Sequence, residues 1–125
     1  SERMVKIVAA IIIIFMIVLS GCIQQPTSQN VVEITSLGFS PQTINIKVGE
    51  TVTFVNNDNK LHWPASNIHP THTEYPEGGG CLGSKFDACG GLKQGERFSF
   101  TFNQKGVWVY HDHLNSELAG IVVVN

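Results

Sequence analysis

The chain has 125 residues and a formal net charge of −2, with 42% apolar and 14% charged residues. That is room for one globular domain around one core. It excludes the broad basic field of a nucleic-acid binder, so no nucleic-acid partner is expected.

Arg3 and Lys6 give the chain a positive start, followed by the unbroken apolar run "IVAAIIIIFMIVL" from Ile7 to Leu19. Its 13 residues fall short of the about 20 that span a membrane. They match the apolar centre of a secretory signal. The run ends in "LSGC", which resembles a bacterial-type lipobox, and the resemblance implies lipidation of Cys22. A short uncleaved anchor is the other reading. Both place the rest of the chain outside the cytoplasmic membrane, on its outer face or in the periplasm, held by a lipid or by the N-terminal segment. The expected organisation is a signal and lipobox over 1–22, a polar tether over 23–30 and one domain over 31–125.

The domain reads as β. Val31 to Ser36 is a first strand. Thr43 to Val48 alternates, with Ile44, Ile46 and Val48 on one face, and Gly49-Glu50 marks a turn. Thr51 to Val55 alternates through Val52 and Phe54 and ends in the turn cluster "NNDNK". Arg97 to Phe102 puts Phe98, Phe100 and Phe102 on one face, and Val107–Tyr110 and Ile121–Val124 are further β-branched and aromatic runs. No sustained helical period follows the apolar run. Short strands with glycine-rich and polar turns predict an all-β sandwich or barrel.

Ser66 to Gln94 interrupts this spacing with about 29 residues that carry no strand pattern. Loops of that length in compact domains are commonly functional. This one holds Cys81 and Cys89 in "GGGCLGSKFDACGG". Outside the cytoplasm such a pair is most simply a disulfide. A pair of thiolate metal ligands is the alternative, although seven intervening residues fit no common zinc pattern.

All five histidines fall into two groups: His62, His69 and His72 in "LHWPASNIHPTH", and His111 and His113 in "YHDH". Each group adjoins the end of a predicted strand, and the loops at one end of a sandwich can bring distant groups together. Imidazole suits copper, zinc, iron and nickel, and it binds when neutral.

"GETVTFVNNDNKLHW", Gly49 to Trp63, resembles the cupredoxin family: a strand, an asparagine-rich turn and then the first copper-ligand histidine, here His62. "GVWVYHDHLNSELAGIVVV", Gly106 to Val124, is similar to the C-terminal strand, ligand loop and last strand of that family. The resemblance implies a Greek-key β-sandwich or barrel with one long loop insertion. It also implies copper, with electron transfer or copper holding and delivery as the role. A redox or copper-trafficking protein would be the partner.

The family's blue-copper ligands are missing from their places. Asp112 stands where the cysteine is expected, Asn115 where the second histidine is, and Leu118 where the methionine is. No intense blue colour is therefore expected. The "YHDH" stretch is instead similar to the His-x-His pairs of multicopper oxidases. Positions i and i+2 of a strand share a face. The expected ligand set is His62, His111 and His113 around one ion. Cu(II) is favoured, and zinc is the alternative. Asp112 is expected to orient a ligand imidazole.

Strand alternation sets a competing arrangement. If Asp112 faces His62 as the family's cysteine would, His111 and His113 face away, unless a bulge or slip restores convergence. A shifted site would then use His69 or His72 with His111 and His113. Two further functions remain beside copper holding: a small copper enzyme with a type-2-like centre, and a cell-surface β-sandwich binding a partner without metal.

Overall fold

In the computed structural model, the structure describes residues 2–6, 21 and 29–125. The signal core, Cys22 and most of the expected tether lie outside the described residues. Among the described residues no helix is long and apolar enough to cross a membrane.

Eight strands follow in order: β1 (Asn30–Thr35), β2 (Gly38–Ser40), β3 (Thr43–Ile46), β4 (Thr51–Asn56), β5 (Pro64–Ser66), β6 (Arg97–Thr101), β7 (Gly106–Asp112) and β8 (Asn115–Val124). They form two four-stranded mixed sheets, β2-β1-β4-β6 and β3-β8-β7-β5. The arrangement is a cupredoxin-like sandwich. Alternation along each strand builds the core. Val32, Ile34, Val52 and Phe54 come from the first sheet, and Ile46, Tyr110, Val122 and Val124 from the second.

Three features differ from the sequence expectation. β2 and β5 are only three residues each, too short to show a period. β8 starts at Asn115, not Ile121, because a tight turn at His113-Leu114 lets it pair at once with β7. Val48, expected to face inward with Ile44 and Ile46, lies beyond the end of β3 and is 48% exposed.

The long segment is pinned to the sandwich by its aromatic residues. Tyr75 packs edge-on against Phe100, Phe102 and Trp108. Its phenol oxygen accepts hydrogen bonds from the backbone N–H groups of Asn103 and Gln104. Phe86 is fully buried against Phe54, Phe100, Phe102 and Tyr110. Isolated bridges join His62 to Leu92 and Ala65 to Asp87. With these anchors inside the core, the residues between them hold fixed positions against β5 and β7. The cysteines form the Cys81–Cys89 disulfide, which closes the part of the segment that carries Asp87.

Candidate metal centre

β7 decides which side chains meet. Asp112 pairs with Pro64 and His111 with Ala65 across the β5–β7 ladder. Side chains alternate along the strand, so Asp112 goes to one side and His111 and His113 to the other. The register of β7 on β8 shifts between His111 and Asp112, but the shift does not bring the histidine pair round to His62.

On its own side, His62 is held between two carboxyl groups. Its Nδ1 lies 2.6 Å from Asp112 Oδ2 and its Nε2 lies 2.8 Å from Asp58 Oδ2. Asp112 also accepts from the backbone N–H of Trp63 and of Leu114 at its other oxygen. Both ring nitrogens of His62 are thereby engaged. The expected ligand set joined His62 to His111 and His113; in the structure His111 and His113 cluster with His69 and His72, and His62 lies outside that cluster. Asp112 does orient an imidazole, but the imidazole is that of His62.

His62 titrates above the usual histidine range. Burial works against its charge, and the hydrogen bonds to Asp58 and then Asp112 outweigh that penalty. A folded value above the unfolded one, ordinarily about 6.5, gives stability that is fully present below that value. The stability is lost as pH rises through the folded value. The stability difference between wild type and His62→Gln, read by urea unfolding, is expected to shrink as pH rises above the ordinary histidine value of about 6.5. A difference that stays flat or grows over that rise would refute the assignment.

The other four histidines converge. One ligand-capable nitrogen from each of His69, His72, His111 and His113 lies within 4.8 Å of all the others. His113 Nδ1 is 3.0 Å from His72 Nε2, and His69 Nδ1 is 3.4 Å from His111 Nε2. Four nitrogens at metal bonds of about 2.0–2.1 Å stand about 3 Å from their neighbours. The observed separations fit one ion.

Groups behind the rings fix the two buried imidazoles. His72 Nδ1 lies 2.7 Å from Asp87 Oδ2, with both side chains fully buried. His111 Nδ1 lies 2.7 Å from Asn67 Oδ1. A ring that donates Nδ1–H backwards presents the bare Nε2 lone pair forwards, which is how protein metal sites set a histidine's tautomer. Asp87 is itself held at Oδ1 by the Trp63 indole N–H at 2.6 Å and the Cys89 N–H at 2.8 Å. One of the two disulfide cysteines, Cys89, thus makes a main-chain contact to the carboxyl group that orients His72. His72 has a φ of 55° and Cys89 one of 59°. Such left-handed conformations cost non-glycine residues on the order of 1–3 kcal/mol and persist where surrounding contacts impose them.

Two of the cluster's imidazoles, those of His111 and His113, are biased towards the neutral form. Burial, then the neighbouring His72, His69 and His113, pushes His111 down to about 4. Burial, then His72 and His69, also lowers His113. Neutral imidazole is the form that binds metal.

Asp87, Asn67 and Trp63 were not singled out as ligand supports in the sequence. The signal for Asp87 was there: it is the one acidic residue between Cys81 and Cys89, two positions before Cys89. Asn67 and Trp63 carry no comparable signal.

A two-sheet β-sandwich with a disulfide, no blue-copper cysteine among the described residues, and a cluster of four histidines defines an atypical cupredoxin-like domain that can hold a metal ion. The chain belongs to the plastocyanin/azurin family of copper binding proteins, whose family model matches residues 26–125. Among solved structures, a purple cupredoxin from Nitrosopumilus maritimus superposes with a TM-score of 0.63 at 24% identity, covering 78% of this chain and all of that one. At this identity the likeness shows the fold alone. A methionine-to-alanine variant of amicyanin in its Cu(I) form superposes with a TM-score of 0.61 at 25% identity, covering 82% of this chain and 87% of that one. No curated protein matches the chain in sequence.

Proposed function

We propose that this protein holds one copper ion, as Cu(II), in an all-histidine centre made by His69, His72, His111 and His113, and that its role is copper holding and delivery outside the cytoplasmic membrane. The carrying observation is the convergence of four imidazoles, two of them already tied from behind with Nε2 facing the centre. Copper is the metal of the family, and a nitrogen-only donor set without soft sulfur favours Cu(II) over Cu(I). That preference weighs against efficient electron transfer, in which both oxidation states share one ligand set, and so favours holding. The bound ion would supply Lewis acidity and a redox couple. The protein's residues present neutral donors, fix their tautomers and bury two of them. We read the domain as non-catalytic. The apolar N-terminal run and the "LSGC" stretch support anchoring at the outer face of the membrane, with Cys22 as the lipid site.

The test is to load the full chain with Cu(II) and separately Zn(II), remove excess metal, count bound ions and record copper EPR and visible spectra. The expected result is one copper per chain, nitrogen hyperfine structure and no intense blue band, with binding lost in His72→Ala/His111→Ala. Zinc held far more tightly than copper would make this a zinc site. No stoichiometric metal of either kind would favour a metal-free surface-binding module. An intense blue band would require cysteine ligation and refute the all-histidine centre.

A further inference from the structure

The four histidines are not equivalent. His72 is fully buried and His111 is 3% exposed. His113 is half-buried, and its ring lies against the Trp63 indole at 4.4 Å. Three rings are therefore backed, by Asp87, by Asn67 and by Trp63, which is itself hydrogen-bonded to Asp87. His69 is exposed. Its ring touches the cluster through Nδ1, and among the described residues no hydrogen bond reaches its other nitrogen. The residue before it, Ile68, is 63% exposed, so the main chain carrying His69 runs along the surface.

We propose that His69 is the exchangeable ligand of the centre, and that an incoming donor from an acceptor molecule takes its place while His72, His111 and His113 keep their positions. The donor class is an imidazole nitrogen or a thiolate sulfur, the groups that compete for copper. The step is a ligand exchange: the bond to His69 breaks as the bond to the incoming donor forms, and no electron moves. An ion held only by buried, backed rings would have to leave through the core of the site. An exposed, unbacked fourth ligand opens a route that displaces one flexible side chain. This inference rests on the copper reading above and concerns how the ion enters and leaves.

The experiment compares the full-length wild type, His69→Ala and His72→Ala after Cu(II) loading. It reads copper per chain, EPR with and without added free imidazole, and the rate of copper loss to an excess chelator. His69→Ala is expected to retain one copper and to release it faster, on the order of tenfold, the lower end of what losing one supporting group costs a metal site. Free imidazole should restore the wild-type EPR spectrum of His69→Ala and slow its release. His72→Ala should lose copper, and imidazole should not bring it back. If His69→Ala loses copper as completely as His72→Ala, His69 is a fixed ligand and the proposal falls. If its spectrum and release rate equal wild type and ignore imidazole, His69 is no ligand and the proposal falls equally. Failure of the copper reading itself is distinguishable, because the wild type would then hold no copper.

Discussion

Replacing His62 by alanine is expected to cost the fold about 3–5 kcal/mol, the range for breaking a buried ion pair, and to leave one metal bound per chain. The cost arises at Asp112, whose side chain is fully buried and faces His62 at 2.6 Å. Its other oxygen keeps the backbone N–H groups of Trp63 and Leu114. Without the imidazole, one carboxyl oxygen is left in the interior with no partner. Asp58 loses its partner too, but it lies nearer the surface and water can serve it. Metal binding should survive because alternation along β7 sends Asp112 and His111 to opposite sides. Urea unfolding and copper counting on the same preparation check both halves. A stable variant that no longer binds copper would put His62 at the metal, and the family's usual ligand position would then have prevailed.

That outcome separates what a sequence shows from what a family position suggests. The strands whose side chains alternate in and out, β4 with Val52 and Phe54 above all, could be read directly because period two is a local property. β2 and β5 could not, since three residues hold no period. The long segment had no local pattern because its order comes from distant contacts: Tyr75 under Phe100 and Phe102, and Phe86 against Phe54. The cysteine pairing followed from composition and compartment. For the site, the same period-two argument set the competing arrangement in which Asp112 and the His111/His113 pair face opposite ways; in the structure Asp112 meets His62 while His111 and His113 lie in the histidine cluster. The resemblance to the blue-copper pattern drew His62 into the expected ligand set. The chain instead fills that place with an internal His62–Asp112 pair and gathers four imidazoles on the other side of the strand. Asn67 and Trp63 had no signal because nothing about an asparagine or a tryptophan marks which ring it will back.

The largest effect on metal affinity without loss of a ligand is expected at Asp87. Its carboxyl group accepts from the Trp63 indole and the Cys89 N–H at Oδ1 and from His72 Nδ1 at Oδ2. Asp87→Asn preserves shape, and an amide oxygen can still accept the first two hydrogen bonds. The amide nitrogen then faces His72 Nδ1. It is a donor, so it pairs with His72 only when Nδ1 is the bare nitrogen, and the ring proton moves to Nε2. Nε2 is the atom 3.0 Å from His113 Nδ1 in the cluster. The substitution thus places a proton where the metal needs a lone pair. Metal affinity should fall by about 10–100-fold, the usual cost of losing a group that orients a ligand, while the fold persists. Competitive chelator titration measures the affinity, and 15N chemical shifts of the His72 ring in metal-free protein report the tautomer. A loss of affinity with His72 still protonated at Nδ1 would mean that Asp87 acts by charge alone. Unchanged affinity would mean that His72 is not a ligand. The two readouts together separate orientation from electrostatics at the one buried carboxyl group that joins the disulfide loop to the histidine cluster.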